Sequence, residues 1–431
     1  MSKLVLYHGS QKIVQKPVCG GSRPYTDFGP GFYCTEQIEA AKEWACMEHK
    51  DGYVNQYELE MGGLRVLDLT GDENLLLNWL ALLITNRRIP ITTPVMKKAF
   101  EQLQARFLPD LSEYDIVLGY CADDAFFSYV RAYIDDEISL SILMQRILME
   151  KAEIQYVLKS QKAFRALAFR SVDRIDANEY SIKRKRRAEA QFKCRCGAAE
   201  TDSNCSLYEK AYGRKNKKPF QKEMQRTLAE AMDYAAGSCR LTLDEFMELF
   251  IAGDLAEQFA AGLPRYSCGM TGAELVCEVL ETAGLKQEFP LPRISFTPTR
   301  EYWCGWMLAY YQCMTGFSYR QICRHISMKE IEKLYSTLHK ASDEKFLHIL
   351  NSHMEKCAEQ ATRLQILRKA AGYSQKGLAE ASGVNLRNIQ QYEQRAKDIN
   401  KGAVATVSAI ARALGCRTED LLEPVFQEAN Q

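Results

Sequence analysis

Two short segments near the N-terminus carry side chains whose types and spacing suit the binding of a flat ring joined to a sugar. The first segment, Tyr7-His8-Gly9-Ser10, ends a short apolar run. His8 can hydrogen-bond a ribose hydroxyl, Gly9 lets the backbone approach a flat amide closely, and Ser10 adds a hydroxyl. Together these groups could hold a nicotinamide riboside.

The second segment, DFGPGFY beginning at Asp27, is a stiff turn that presents an aromatic ring. Its two glycines permit backbone torsions closed to other residues, and Pro30 stiffens the turn between them. If the chain leaves the turn extended, Phe32 and Tyr33 point to opposite sides, one into the core and one toward a cleft. A tyrosine fixed in this way can stack on a flat ligand ring, because a ring fixed beforehand loses little entropy on binding. Taken alone, Tyr33 also fits a core aromatic beside Phe32.

The elements that must position these residues can be predicted in outline. Leu4–Tyr7 indicates a strand ahead of the histidine, and Thr35 is a plausible cap for a helix over Glu36–Cys46. Tyr53–Glu60 and Leu64–Leu69 alternate around two glycines and indicate a hairpin. Further strands are expected at Tyr114–Tyr120, Glu153–Lys159 and Ala166–Ile175, with helices at Glu73–Ile84, Pro94–Phe107, Asp123–Asp135 and Leu140–Lys151. This order is typical of an α+β domain.

The motifs YHGS, DFGPGFY, DIVLGYCADD and IQYVLKSQKAF together resemble the nucleotide-binding part of the diphtheria-toxin-like ADP-ribosyltransferases, which include the poly(ADP-ribose) polymerases. They are also similar to an uncharacterised bacterial family assigned to the same fold. The resemblance covers roughly residues 1–180. It implies NAD as co-substrate, with His8, Gly9, Ser10 and Tyr33 as binding residues and His8 and Tyr33 in the catalytic set.

The third position of that family, often a late-strand glutamate, falls by order on Gln155. In the family the glutamate binds a ribose hydroxyl and stabilises the oxocarbenium-like state. Gln155 can accept a hydrogen bond but brings no charge, which favours single transfer over chain elongation and leaves loss of activity open. Asp123 and Asp124 are candidate secondary carboxylates that would orient the acceptor or the ribose. The alternative for this acidic pair is a helix N-terminus favoured by the dipole.

The C-terminal region resembles the Xre/Cro/C1 repressor family. Ser374 is expected to cap a helix, Gly383 to make the turn, and Asn385 to cap a second helix that ends at Glu393. This spacing predicts a helix-turn-helix that binds DNA through residues 374–397.

By that resemblance, the second helix is the recognition helix. The expected base contacts come from Leu386, Arg387, Asn388 and Gln391, with phosphate or backbone contacts from Gln375, Arg395 and Lys397. Such domains usually dimerise on a two-fold operator, so a homodimer is the assembly to expect. Some instead contact protein partners.

The bulk properties exclude several classes. With 431 residues and a formal net charge of +1, the chain has no global field toward nucleic acid or membrane, and no apolar run is long enough to span a bilayer. The 15 cysteines without a secretion signal indicate reduced thiols in the cytoplasm. Cys194, Cys196 and Cys205 do not have the spacing of paired zinc ligands, so no metal is expected.

We therefore predict a multidomain protein with an α+β ADP-ribosyltransferase-like domain (1–180), a basic and polar linker (181–205), an all-α middle domain (206–359) and a small all-α helix-turn-helix domain (360–425). The expected function is a cytoplasmic bacterial mono-ADP-ribosyltransferase fused to a repressor-like module, in a toxin–antitoxin or defence-type element. The acceptor of the ADP-ribose stays open between protein and nucleic acid, among others. The alternatives are a transcription regulator whose inactive domain senses NAD or ADP-ribose, and a ligand-free scaffold.

Overall fold

A computed structural model of the chain describes residues 3–20, 23, 25–46, 50–122, 124–149, 152–180, 182–184, 186–187, 220–285, 289–358, 362–394 and 396–423. They fall into two compact units, Met1–Ala309 and Tyr310–Gln431. The first unit combines an α+β part with a helical segment, and the second is helical and ends in the helix-turn-helix. The division falls inside the span 206–359 that the sequence predicted as one middle domain. The predicted linker lies largely outside the described residues.

Two sheets form the α+β part. Strands β1 (Lys3–Ser10), β3 (Gly52–Glu60) and β7 (Leu167–Ile175) pair antiparallel in the order β1-β3-β7. The second sheet has the order β2-β6-β5-β4, with all neighbours antiparallel except β5 and β4. Its strands are β2 (Phe32–Cys34), β4 (Val66–Asp68), β5 (Ile116–Tyr120) and β6 (Ile154–Leu158). A bridge between Tyr7 and Thr35 joins the two sheets beside the predicted site.

The predicted hairpin is wrong, because β3 and β4 belong to different sheets. β4 instead pairs in parallel with β5, with Val66 opposite Ile116. The chain reverses at Gly63, whose positive φ of 75° suits glycine, but it then leaves the first sheet. The sequence correctly predicted a turn at this position. It did not predict that β4 pairs with β5, a strand about fifty residues further along the chain.

Alternating side chains of the second sheet build two separate cores. Ile116 and Leu158 face one cluster, and Val117 and Val157 face the other. The first cluster also buries Phe32, while Tyr33 packs at the margin of the second. The prediction that these two rings point to opposite sides is therefore confirmed, because strand residues alternate between faces.

Helices cover the two sheets. Helix α1 (Ile38–Ala45) packs on the first sheet through Ala41 and Ala45, and it begins two residues later than predicted, because Thr35 accepts from the Gln37 N–H outside the helix. The other helices of this part are α2 (Glu73–Asn86), α3 (Pro94–Phe107), α4 (Asp124–Ile134), α5 (Leu140–Met149) and α6 (Gln161–Arg165). Helices α2 to α5 enclose the second core around the buried Trp79.

The helical segment of the first unit contains α7 (Gln221–Gly237), α8 (Leu243–Ala252), α9 (Leu255–Ala260), α10 (Pro264–Ser267) and α11 (Gly272–Thr282), and α12 (Arg300–Thr315) runs across the unit boundary. Helix α11 starts with a capping box of Thr271 and Glu274. A methyl group on Gly272 would collide with the backbone of Ala231, so this glycine permits close packing of α11 on α7.

The second unit continues with α13 (Tyr319–His325), α14 (Met328–Leu338) and α15 (Asp343–Ala358), followed by α16 (Arg363–Ala370), α17 (Gln375–Ser382), α18 (Leu386–Glu393) and α19 (Val404–Leu414). Leu378, Ile389 and Ile410 are fully buried and lock the last four helices around one small core. In the described part of the chain, no helix combines the length and apolar character that crossing a bilayer requires.

Candidate functional site

A cavity of about 470 Å³ opens in the first unit, where the ends of β1, β2, β5 and β6 meet the helical segment. Its volume lies within the range of about 300 to 1,000 Å³ that small-molecule sites occupy. His8, Tyr33 and Gln155 all line it. Three residues predicted from separate segments of the chain are therefore brought together in one place.

His8 is held as a neutral hydrogen-bonding group. Its Nδ1 lies 2.7 Å from the carbonyl oxygen of Tyr33, and its ring packs against Phe32 at 4.4 Å. Burial lowers the pKa of His8, and the bond to the Tyr33 carbonyl only partly opposes this effect. Because a carbonyl can only accept, the proton sits on Nδ1. Nε2 is therefore left as an acceptor for a ligand hydroxyl.

Tyr33 is fixed by the turn that precedes it. Its hydroxyl oxygen lies 2.6 Å from the Gly29 carbonyl and 2.7 Å from Thr26 Oγ1, and it accepts from the Phe28 N–H at 3.1 Å. Burial, the largest influence, raises the pKa of Tyr33, so the phenol stays protonated. The ring packs against the second core and also lines the cavity. Both interpretations of Tyr33 therefore describe part of its environment.

Lys159 braces the same turn, a role that the sequence analysis missed. Its ammonium donates to the carbonyls of Phe28 at 2.6 Å and Pro30 at 2.7 Å. Burial lowers the pKa of Lys159 to about 8. Gly29 has a φ of 72°, which explains why glycine is needed there. The turn is thus shaped by Gly29 and held by this lysine, which directly follows β6, whereas Gly31 does not have a positive φ.

Gln155 is 4% exposed, and its amide has a defined orientation. Nε2 donates to Asp27 Oδ2 at 2.9 Å and approaches the Tyr120 carbonyl at 3.3 Å. Both amide hydrogens are therefore engaged, and Oε1 has no hydrogen-bond partner among the described residues. Gln155 presents an acceptor toward the cavity, as a ribose hydroxyl would require.

Asp27 is the carboxylate nearest to Gln155, and the sequence analysis did not single it out. It is 7% exposed and accepts from the Ala122 N–H at 2.8 Å and from Arg87 Nη1 at 2.8 Å. The carboxylates predicted for this role cannot be placed, because Asp123 lies outside the described residues and so does the side chain of Asp124, the first residue of α4. Asp27 is the first residue of DFGPGFY, but no local feature of the sequence predicts its contact with the glutamine on β6.

Arg87 connects this network to the helical segment. Its Nε and Nη2 donate to the two carboxylate oxygens of Glu274 at 2.6 and 2.7 Å, and Nη2 also donates to the Gly269 carbonyl at 2.9 Å. The guanidinium lies over the Phe127 ring at 4.1 Å. Burial disfavours the charged form, but the charges of Glu274 and Asp27 outweigh it and raise the pKa of Arg87. Hydrogen bonds therefore connect Gln155 to Asp27, Asp27 to Arg87 and Arg87 to Glu274 in one continuous network.

Gly9 and Ser10 have different surroundings from those predicted. Gly9 borders the cavity, but a methyl group there would collide with the backbone of α1 at Ala41 and Ala45. Helix packing is therefore a sufficient reason for this glycine. Ser10 lies outside the cavity lining formed by the described residues, and its hydroxyl donates to the Lys12 carbonyl at 2.5 Å and accepts from Asn55 at 3.2 Å. The Ser10 hydroxyl therefore contacts the loop that follows β1, and its predicted contact with a ligand stays a prediction.

The helix-turn-helix has the capping that the sequence predicted. Ser374 Oγ accepts from the Gly377 N–H at 2.9 Å, and Asn385 Oδ1 accepts from the Arg387 N–H at 2.8 Å. Gly383 ends α17 with a φ of 68°. Arg387 is exposed, and Leu386, Asn388 and Gln391 are partly exposed on α18.

Glu393, at the end of α18, organises the base of this module. Arg368 donates to both of its carboxylate oxygens, at 2.6 and 2.9 Å, and Gln375 Nε2 donates to one of them at 2.8 Å. Gln375 was predicted to contact phosphate, and part of its amide is already used within the fold. Lys397 is exposed, whereas Arg395 lies outside the described residues.

The chain thus joins a cavity-bearing α+β and helical unit to a helix-turn-helix module of DNA-binding type. Residues 364–421 match the family described as "Helix-turn-helix" (HTH_3). Residues 4–169 match a family described as "Protein of unknown function (DUF3990)", which assigns no activity. No curated protein and no solved structure matches the chain. The match over residues 4–169 covers most of the α+β part and does not include the helical segment that carries Glu274.

Proposed function

We propose that the first unit binds NAD as a co-substrate and transfers one ADP-ribose group to an acceptor. The observation that carries this proposal is the meeting of His8, Tyr33 and Gln155, from three distant segments, in the lining of one cavity. The helix-turn-helix supports a second role, in which the same chain binds DNA. The protein would then be a DNA-binding mono-ADP-ribosyltransferase.

Each of the three side chains suits one part of nicotinamide riboside. The fixed Tyr33 ring offers a face for the nicotinamide, and its hydroxyl is already engaged in the turn. His8 Nε2 and Gln155 Oε1 are acceptors that suit two ribose hydroxyls. All three are held by the fold before a ligand arrives, so little ordering entropy opposes binding.

The proposed reaction is a substitution at the anomeric carbon of the ribose. The bond between that carbon and the nicotinamide nitrogen breaks, and its electron pair leaves with neutral nicotinamide. A lone pair of the acceptor nucleophile forms the new bond, and the acceptor loses a proton to solvent. Positive charge develops on the ribose in between, and a neutral Gln155 stabilises it less than a carboxylate would. This is why we propose one transfer and no chain elongation.

The charge balance beside Gln155 also favours a second candidate function, NAD or ADP-ribose sensing without turnover. The nearest carboxylate, Asp27, is held by Arg87, whose guanidinium charge weakens the field of Asp27 at the ribose. A site of this kind would bind the dinucleotide and leave the glycosidic bond intact. Ligand occupancy would then reach the DNA-binding module as a signal.

The deciding experiment incubates the full chain with NAD labelled in its adenylate phosphate, together with bacterial lysate, and follows both nicotinamide release and the label. Tyr33→Phe keeps the ring, and Tyr33→Leu removes it. We expect label on a macromolecule with the wild-type chain, partial transfer with Tyr33→Phe and none with Tyr33→Leu, with melting curves to verify folding. NAD binding by calorimetry without nicotinamide release selects the sensor, and absence of NAD binding contradicts both functions.

The combination of such a transferase with a DNA-binding module suits a toxin–antitoxin or defence-type element. Expression of the wild-type chain in a bacterial host should then slow growth more than expression of His8→Gln at the same protein level. Equal growth of the two cultures contradicts the toxin role and leaves the in vitro transferase assay to decide the chemistry.

A further inference from the structure

The cavity has a second group of polar side chains that the proposed nicotinamide contacts do not use. Arg23, Arg184 and Arg265 line it together with one unclaimed carboxylate, Glu278. Arg87 also lines it and is bound by both Asp27 and Glu274. The guanidinium groups of Arg23 and Arg265 both reach Glu278, so hydrogen-bond donors from two segments of the chain converge at this part of the lining.

The three arginines lie close enough to act on one another. The charge of Glu278 raises the pKa of Arg265, and the charges of Arg184 and Arg23 act in the opposite direction. Arg23 Nη1 donates to Glu278 at 2.9 Å, and Arg23 Nε lies 3.2 Å from Glu281. The guanidinium groups of Arg23 and Arg265 are therefore close enough for one anion to interact with both.

Two side chains of the cavity lining, Arg265 and Trp44, have N–H groups without a hydrogen-bond partner among the described residues. Arg265 donates to Glu278 only through Nη2, at 3.2 and 3.3 Å, and its side chain is 30% exposed. Its Nε and Nη1 have no hydrogen-bond partner among the described residues. The indole Nε1 of Trp44, on α1 beside Gly9, is buried and likewise has no partner there, and Trp44 lines the same cavity. An unpaired buried N–H is unfavourable, so a ligand oxygen is its natural partner.

We propose that Arg265, Arg23 and Trp44 form a subsite for the diphosphate of a nucleotide, so that the helical segment completes the ligand site. Guanidinium groups match phosphate oxygens in pairs, and the indole N–H supplies a further donor. The subsite deepens the proposed function, on which it rests only for the identity of the nucleotide as NAD. Arg265 lies outside residues 4–169, so the match of the α+β part covers only one side of the site.

The helical segment is an integral wall of this site. Its Glu274 is 3% exposed and holds Arg87 with two hydrogen bonds, and its Glu230 is 4% exposed and pairs with Arg131 of the α+β part. Breaking buried pairs of this kind is strongly unfavourable, because each leaves an uncompensated charge. Displacing the segment to admit a ligand would break them all, so binding with the segment in place is the lower-energy arrangement.

The test measures binding of ADP, inorganic pyrophosphate and adenosine to the full chain by calorimetry. ADP and pyrophosphate should bind, and increasing salt should weaken both. Arg265→Gln should weaken ADP binding by about tenfold or more, as expected for the loss of a charge-assisted hydrogen bond, and leave adenosine binding unchanged. Trp44→Phe, which keeps an aromatic ring and removes the N–H, should weaken ADP binding several-fold.

Two further variants keep the result interpretable. Arg174→Gln removes an arginine that is 72% exposed and pairs with Asp51, away from the cavity, and should leave ADP binding unchanged. Glu278→Gln removes the negative charge beside Arg265 with little change of shape and should tighten ADP binding. This variant tests the subsite independently if Arg265→Gln lowers the melting temperature.

Absence of ADP binding to the wild-type chain overturns the subsite, and so does an unchanged affinity in Arg265→Gln. Tighter ADP binding in Arg265→Gln also overturns it, because the helical segment would then be an obstacle to the ligand. The proposed transferase fails separately. ADP binding that depends on Arg265, without NAD consumption, supports the subsite and contradicts the transferase. NAD consumption with the same KM in Arg265→Gln and in the wild-type chain supports the transferase and contradicts the subsite.

Discussion

The side-chain amide of Gln155 donates a hydrogen bond to the carboxylate of Asp27 at 2.9 Å, although 128 positions separate the two residues along the chain. The Asp27 carboxylate is held in turn by Arg87 and by the Ala122 N–H. A glutamine is well suited to this position because it can donate to Asp27 and still present an acceptor to the cavity. A glutamate would place two carboxylates in contact.

Gln155→Glu tests this relationship. The introduced carboxyl group would lie beside Asp27, and like charge would raise its pKa above the ordinary glutamate value. Between those two pKa values the folded state binds more protons than the unfolded state, so stability falls as the pH rises. We expect the free energy of unfolding of this variant, relative to wild type, to be lower at pH 7.5 than at pH 5. Each unit of pKa shift corresponds to about 1.4 kcal/mol.

Urea denaturation at the two pH values gives this difference directly. Gln155→Leu is the matched control, because it removes the hydrogen bond to Asp27 without adding a titrating group. A destabilisation by Gln155→Glu that is the same at pH 5 and pH 7.5 would contradict the predicted contact.

Arg87→Leu should be among the most destabilising substitutions in the first unit. It leaves Asp27 and Glu274 buried without their shared cation, and removal of one partner of a buried ion pair costs about 3 to 5 kcal/mol. The control is Arg174→Leu, which breaks an exposed pair and should change stability by less than about 1 kcal/mol. Comparable denaturation midpoints for the two variants would show that the Arg87 network does not stabilise the packing of the helical segment on the α+β part.

The stability of the folded chain should depend on His8 at mildly acidic pH. Burial lowers the pKa of His8 in the folded state, whereas the unfolded chain has the ordinary value near 6.5. Between those values the unfolded state binds more protons, so the free energy of unfolding increases with pH through this window. His8→Gln should remove that part of the pH dependence, which a series of denaturation curves from pH 4.5 to 7.5 would measure. Identical profiles for the two proteins would contradict a lowered pKa of His8 in the folded state.

Gly9→Ala should destabilise the first unit by about 1 to 3 kcal/mol or more, because its methyl group would meet the backbone of α1 at Ala41. In Gly253→Ala, the nearest atom is 3.8 Å from the added methyl, so this variant should have little effect. Thermal unfolding of the two variants measures the contrast. Equal melting temperatures would mean that α1 adjusts, and the reason for Gly9 would then be ligand approach.

If α18 is the recognition helix, as the resemblance implies, Arg387→Ala should weaken specific DNA binding by about 1 to 3 kcal/mol without lowering the melting temperature, because the Arg387 side chain is exposed on α18. The measurement is fluorescence anisotropy on a duplex selected from a random library with the full chain. Arg412→Ala is the control, since Arg412 is exposed on α19, outside the two helices of the motif. An equal loss of affinity for both variants would indicate a general charge effect rather than base readout.

Local features of the sequence were sufficient for much of the architecture. Helix α3 was predicted at its observed bounds, and the caps Ser374 and Asn385 and the turn at Gly383 were predicted correctly. The opposite facing of Phe32 and Tyr33 followed from the strand period. These features depend on torsions, hydrogen bonds and periodicity within a few residues, which the sequence states directly.

The family resemblance carried by His8, Tyr33 and Gln155 in this order predicted one shared site, but not its other walls. Asp27 and Arg87 become partners only because β6, α2 and the turn before β2 converge. The arginine and carboxylates of α10 and α11 reach the cavity because the helical segment packs on the α+β part. The sequence by itself determined the local elements and the polar side chains of His8 and Gln155 that line the cavity. The tertiary structure alone decided the charge around them, since the pairing of buried ions depends on which distant segments exclude water together.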